Sequence, residues 1–218
     1  WFTRTNQRTR EAFCAELGFD PQKPIVLYVC TGLIKGSPRE PQFVREWLEM
    51  IRASGDPILE TCNVLVRPHP AQTEDWQDVD LSAFAPVTVS GGNPVDEQRR
   101  TDYFDALYHS AAVVGLNTSA FIEAGIVGRE VLTILEPRYH DNQEGTAHFQ
   151  YLLQIGGGLL HVGRDRSSHV AQLGQALRLV ARDRTLVGRV ALGEIHLGAR
   201  LDAKLAEVHR WLSGSSGL

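Results

Sequence analysis

Apolar residues along this chain fall into two kinds of run. Short, mostly apolar runs, many of their residues β-branched, occupy residues 25–30, 63–66, 87–89, 111–114, 131–135 and 159–162. A strand with one wet face alternates apolar and polar positions, whereas a continuous run belongs to a strand covered on both faces, as in a parallel sheet. Between these runs, apolar residues recur at three- and four-residue spacing. Phe13 and Leu17 do so within residues 3–17, Phe43, Trp47, Leu48 and Ile51 within 42–53, and Tyr103, Phe104, Leu107 and Tyr108 within 102–110. Residues 120–127 and 147–154 follow the same rule, as do Val170, Leu173, Leu177 and Val180 within 169–181, and Leu201, Leu205, Val208 and Leu212 within 200–212. These segments predict helices. Asp102 is expected to cap or charge the start of its helix, residues 74–84 to form a loop with a short helical turn, and residues 90–100 to form a polar loop.

Strands alternating with helices predict an α/β fold, a Rossmann-like open parallel sheet with helices on both faces. Residues 1–24 form a lead-in helix and linker, residues 25–212 one domain, and the Ser/Gly-rich residues 213–218 a flexible tail. Because the chain opens on Trp1 rather than Met, it is read as a fragment of something longer.

Composition narrows the function classes. The 218 residues are 43% hydrophobic and 22% charged, with a formal net charge of −4, so no global basic field attracts nucleic acid or an acidic membrane surface. Any anion site must be local. Cys14, Cys30 and Cys62 are odd in number and widely spaced, which predicts buried thiols in a reducing compartment rather than a disulfide framework. No C-x-x-C or H-E-x-x-H spacing supports a metal, and no apolar run reaches the ~20 residues of a membrane span. A cytoplasmic location is expected.

Loops leaving the carboxyl ends of parallel strands open onto the ligand crevice, and four of them carry candidate chemistry. After the strand at 111–114, Asn117, Thr118 and Ser119 are residue types that cap a helix. A helix starting there turns backbone N–H groups and a positive dipole end toward an anion, and Glu123, one turn inward, can accept hydrogen bonds from a ribose. A plain helix cap with a solvated Glu123 is the alternative. After residue 30, Gly32 lets backbone approach a phosphate and Lys35 can neutralise it, against the alternative of an ordinary loop with a solvated lysine. After residue 66, Arg67-Pro68-His69-Pro70 holds His69 between two prolines on a turn that cannot continue as a helix or central strand. Rigid placement suits a phosphate-binding imidazole, with Arg67 adding a fork of donors. After residue 135, the polar loop with His140, Gln143, Glu144, Gly145 and Thr146 is expected to contact donor or acceptor, with no acid or base assigned.

Taken together, Arg67-Pro68-His69-Pro70, then Asn117-Thr118-Ser119 with Glu123-Ala124, then Gly128-Arg129-Glu130-Val131-Leu132 resemble the carboxyl-terminal, nucleotide-binding half of GT-B glycosyltransferases. The likeness is strongest to bacterial capsule transferases and CDP-glycerol glycerophosphotransferases, and spans about residues 25–181 in layout. It implies that His69, Thr118 and Ser119 bind donor phosphates and Glu123 the ribose, with Glu130 departing from the family's frequent proline. It further implies transfer from a UDP-, CMP- or CDP-linked donor without an obligatory metal or other cofactor, in surface-polysaccharide synthesis at the inner face of the membrane. An amino-terminal acceptor-binding domain, the usual source of the catalytic base, is absent from this chain, so the chain alone is expected to bind donor and turn over poorly. A UDP-sugar epimerase-like enzyme and a non-catalytic nucleotide-binding or scaffold domain are the alternatives.

Overall fold

All six apolar runs become strands within two residues of their expected bounds, and all six pair in parallel. The computed structural model of the protein describes residues 3–154 and 158–190, with side chains described through residue 180. In chain order the elements are α1 (Arg10–Leu17), β1 (Ile25–Val29), α2 (Glu40–Arg52), α3 (Pro57–Thr61), β2 (Asn63–Arg67), β3 (Val87–Val89), α4 (Glu97–His109) and β4 (Ala112–Val114). The second part holds α5 (Ala120–Ile126), β5 (Glu130–Ile134), α6 (Ala147–Gln154), β6 (His161–Gly163) and α7 (Arg166–Val190). Single 3₁₀ segments follow β2 (Pro70–Trp76 and Ser82–Phe84) and β5 (Pro137–Asn142).

Strand order is β3-β2-β1-β4-β5-β6. The chain therefore runs outward from β1 in one direction, then returns to β4 on the other side of β1. Helices leaving β1 and β4 diverge at that reversal, and a crevice opens between the strand ends there.

The strand side chains explain why both faces are dry. Val26, Tyr28, Val64, Val66, Leu132 and Ile134 pack on one face with Trp47 and Ile51 of α2, Leu59 of α3 and Leu173 of α7. Ile25, Leu27, Leu65, Val113 and Val131 pack on the other with Phe13 of α1, Leu107 of α4, Phe121 of α5 and Phe149 of α6. Cys14, Cys30 and Cys62 are buried thiols outside any disulfide, as expected.

Three local expectations change. The polar loop at 90–100 ends early, because α4 begins at Glu97 with the Asp96 side chain accepting the Arg99 N–H. Asp102 is thus inside the helix and caps nothing. The lead-in helix is confined to α1, where Thr9 caps the start and Gly18 ends it in the left-handed region. α3 was hidden by its length of five residues, although Asp56 followed by Pro57 is a helix-start pair. The helix expected at 200–212, the tail at 213–218 and most of the glycine break at 156–158 lie outside the described residues.

Candidate functional site

The reversal between β1 and β4 gathers five separate segments around one cavity of about 200 Å³. Its walls are Cys30 after β1, Arg67 to Pro70 at the end of β2, Gly92 and Pro94 after β3, Tyr103 of α4, and Thr118, Ser119 and Glu123 at and within α5. Arg67, His69, Thr118, Ser119 and Glu123 are therefore brought together from positions up to 56 residues apart.

Arg67 is the last residue of β2 and points to the same face as Leu65. Its guanidinium lies over the Tyr103 ring at 5.0 Å, and its other side meets Gly91, where a Cβ would come within 2.7 Å of Cζ. Glycine at φ 129° leaves the space that a side chain would fill. Arg67 is only 8% exposed, and among the described residues the one hydrogen bond of its guanidinium runs to the Gly92 carbonyl at 3.3 Å. No ion pair reaches it among the described residues. Burial lowers its pKa from the usual value, while Tyr103 and Asp102 act the other way. It is a buried cation with unused donors. Arg67 also borders a second, larger groove of about 510 Å³ between α1 and α4, where Arg8 is already paired to Glu16, Asp102 and Asp105.

His69 sits as the Pro-flanked sequence predicts. Its Nδ1 accepts the Ala71 N–H at 3.2 Å, which places the proton on Nε2. Gly32 is what that ring rests on: a Cβ there would stand 3.1 Å from Cε1 and Nε2. Its lack of a side chain makes room for the imidazole, which the sequence had attributed to an approaching phosphate.

The turn before α5 supplies neutral donors. Thr118 Oγ1 accepts the Ala120 N–H at 3.3 Å, while the Ser119 side chain makes no cap bond. Among the described residues, the Thr118 and Ser119 N–H groups have no acceptor. Since α5 spans only seven residues, its contribution to an anion is those local N–H groups rather than a long macrodipole. Glu123 accepts the Tyr103 hydroxyl proton at 2.5 Å, and burial raises the Tyr103 pKa well beyond its normal range, with Glu123 as the next cause. Tyr103, read from the sequence as a core aromatic, thus links Arg67 to Glu123.

The remaining candidates stand elsewhere. Lys35 is exposed and lines no part of the cavity. Asn117 is a tie: its Nδ2 donates to the Asn142 carbonyl at 2.6 Å and to Thr146 Oγ1 at 2.9 Å, and its Oδ1 meets His148 Nδ1 at 2.8 Å. Gln143 is buried among backbone groups it satisfies, and His140 with Glu144 forms an exposed pair at 3.5 Å. None of His140, Gln143, Glu144, Gly145 and Thr146 lines the cavity. The sequence missed His148, whose Nε2 is buried without a partner and whose pKa burial lowers.

No protein-family model matches the chain, and no curated protein matches it. Solved structures do. The wall teichoic acid polymerase TagF aligns with 91% of this chain and 42% of its own at 11% identity and a TM-score of 0.53. A putative UDP-N-acetylglucosamine 2-epimerase from Listeria monocytogenes aligns with 80% of this chain and 40% of its own at 16% identity and a TM-score of 0.50. This chain thus spans less than half of either, and at these identities the likeness is one of fold. The resemblance to one Rossmann-like half of a GT-B architecture holds at that level. No helix among the described residues is long and apolar enough to cross a membrane.

Proposed function

We propose that the crevice binds the phosphates of a nucleotide-activated donor, and that the chain is the donor-binding domain of a glycosyltransferase or glycerophosphotransferase of bacterial surface-polysaccharide synthesis. The observation that carries this reading is Arg67. A buried guanidinium without a carboxylate is costly, by several kcal/mol, unless an anion arrives to use its donors. Here the donors next to it, His69 Nε2–H and the two N–H groups before α5, are of the kind that hold phosphate oxygens.

In this reading the phosphates lie among Arg67, His69, Thr118 and Ser119. Glu123, held by Tyr103, faces the ribose. As the bond from sugar or glycerophosphate to the leaving phosphate breaks, negative charge grows on that phosphate, and these fixed donors stabilise it. The acceptor, its activating base and the other half of the architecture come from outside the chain. No step calls for a metal.

The TagF match favours the transferase, and the epimerase match keeps a second enzyme reading on the same crevice. Calorimetric titration with UDP, CMP, CDP and GDP, on the parent and on His69→Ala and Glu123→Ala, tests the donor site. The expected result is micromolar to millimolar binding of one nucleotide, weakened by both substitutions. A folded chain that binds none of the four would overturn it and favour a scaffold role.

A further inference from the structure

Glu40 lies in the first turn of α2 and is 3% exposed, yet no ion pair reaches it among the described residues. One carboxylate oxygen accepts the Tyr28 O–H at 3.0 Å and the other the Thr31 backbone N–H at 2.8 Å. Thr31 is itself buried, and its hydroxyl oxygen accepts the Asn117 N–H at 3.1 Å. With that lone pair occupied, the Thr31 hydroxyl proton is directed to the carboxylate, whose charged form it helps to hold. A continuous path therefore runs from Glu40 through Thr31 to Asn117, the residue just before Thr118 and Ser119.

The groups facing Glu40 are Tyr28 from β1, Cys30 just after it and Tyr139 from the segment after β5, none of them a cation. Burial raises the Glu40 carboxyl to about 7, against the bonds from Thr31 and Tyr28 that favour its charge. A glutamate wanted only to complement the positive end of α2 would do so from the surface without this desolvation cost. Only an acceptor of two or more bonds at this buried point keeps Thr31, and through it the α5 turn, in place.

We propose that Glu40 is a positioning residue for the crevice: through Thr31 it fixes Asn117 and so aims the Thr118 and Ser119 N–H groups, without itself lining the cavity. The purpose assigned to that aim rests on the donor-site reading, whereas the coupling of Glu40 to Asn117 does not.

Two measurements separate them. In the first, amide hydrogen exchange is followed by NMR on the parent and on Glu40→Gln at pH 6 and pH 8. The glutamine keeps the volume but replaces one acceptor oxygen with an NH₂. At pH 8 the variant should exchange the Thr31 and Asn117 amides about tenfold faster than the parent, with Val113 of β4 unchanged. The difference should shrink at pH 6, where the parent carboxyl is protonated. Equal Asn117 exchange at pH 8, or acceleration spread evenly through β4, overturns the proposal. In the second, nucleotide affinity is measured for Glu40→Gln, Thr31→Val and the double variant. Each single change should weaken binding about fivefold, and the double no further, because both interrupt one path. Independent, multiplying losses overturn it. If the parent binds no nucleotide, the donor-site reading fails and the exchange result still decides the role of Glu40.

Discussion

Two strand-end segments of this protein carry similar densities of polar side chains, and only the one after β2 lines the cavity at the sheet reversal. Beyond β5, Gln143 Nε2 donates to the Leu116 and Ile134 carbonyls at 3.1 and 2.9 Å and to Thr133 Oγ1 at 3.3 Å, while its Oε1 accepts the Glu136 N–H at 3.0 Å. Asn142 receives the Ile34 N–H and donates to Ser37, which clasps the β1 loop to the same segment. Beyond β2, Arg67 makes one long guanidinium hydrogen bond among the described residues, against five donors, and His69 lines the cavity. The difference teaches that polar density after a strand does not mark a ligand site. What marks it is how many of those groups the protein leaves unsatisfied.

The comparison is broken most easily at Gln143. Gln143→Leu strips partners from buried carbonyls of Leu116 and Ile134 and from the Glu136 N–H, so urea denaturation should show a loss of about 3–5 kcal/mol. A loss below about 1 kcal/mol would mean that the β5 segment is no clasp.

Glu40, which stands behind the β1 loop between the two segments, should give the next largest effect, and one that depends on pH. Its folded pKa of about 7 lies above the ordinary 4.5, so the folded protein keeps a proton that the unfolded chain releases. The stabilisation is complete below about pH 4.5 and is lost as pH rises through 7, a change of about 3 kcal/mol. Glu40→Gln should flatten that slope in denaturation curves taken from pH 5 to pH 8. An equal slope in both proteins would show that Glu40 is not the titrating group.

Arg67→Met should separate binding from stability. Nucleotide affinity is expected to fall about tenfold to a hundredfold, while the denaturation midpoint holds or rises, because an apolar chain replaces an unpaired buried cation. If stability collapsed instead, the guanidinium would be a structural prop on Tyr103. The smallest effect belongs to Lys35→Ala. Exposed and remote from the cavity, it should alter affinity less than about twofold and stability by less than about 0.5 kcal/mol.

Much of this was legible in advance, for local reasons. The runs at residues 25–30 and 64–66 are apolar throughout because both sheet faces are covered, and Pro68 and Pro70 restrict the backbone around His69 whatever surrounds it. The beginning of α4 was less legible, since Glu97, Gln98, Arg99 and Arg100 form a solvated first turn whose polarity reads equally as loop. The hydrogen bonds that occupy Asn117 and Gln143, to Asn142 and Leu116, reach across 25 and 27 residues, which local sequence does not show. The bond from the Asn117 N–H to Thr31, 86 residues away, which ties Glu40 to the turn before α5, is hidden in the same way.

By itself, then, the order of apolar runs determined a parallel α/β sheet, and parallel pairing sends every strand's carboxyl end, with its polar loop, to one edge. The sequence could name the groups along that edge. Which of them remain available to a ligand was decided only by the tertiary structure, because hydrogen-bond satisfaction depends on partners that meet after folding. There the amides of Asn117 and Gln143 are consumed by the protein itself, and the guanidinium of Arg67 is buried beside the cavity with donors to offer.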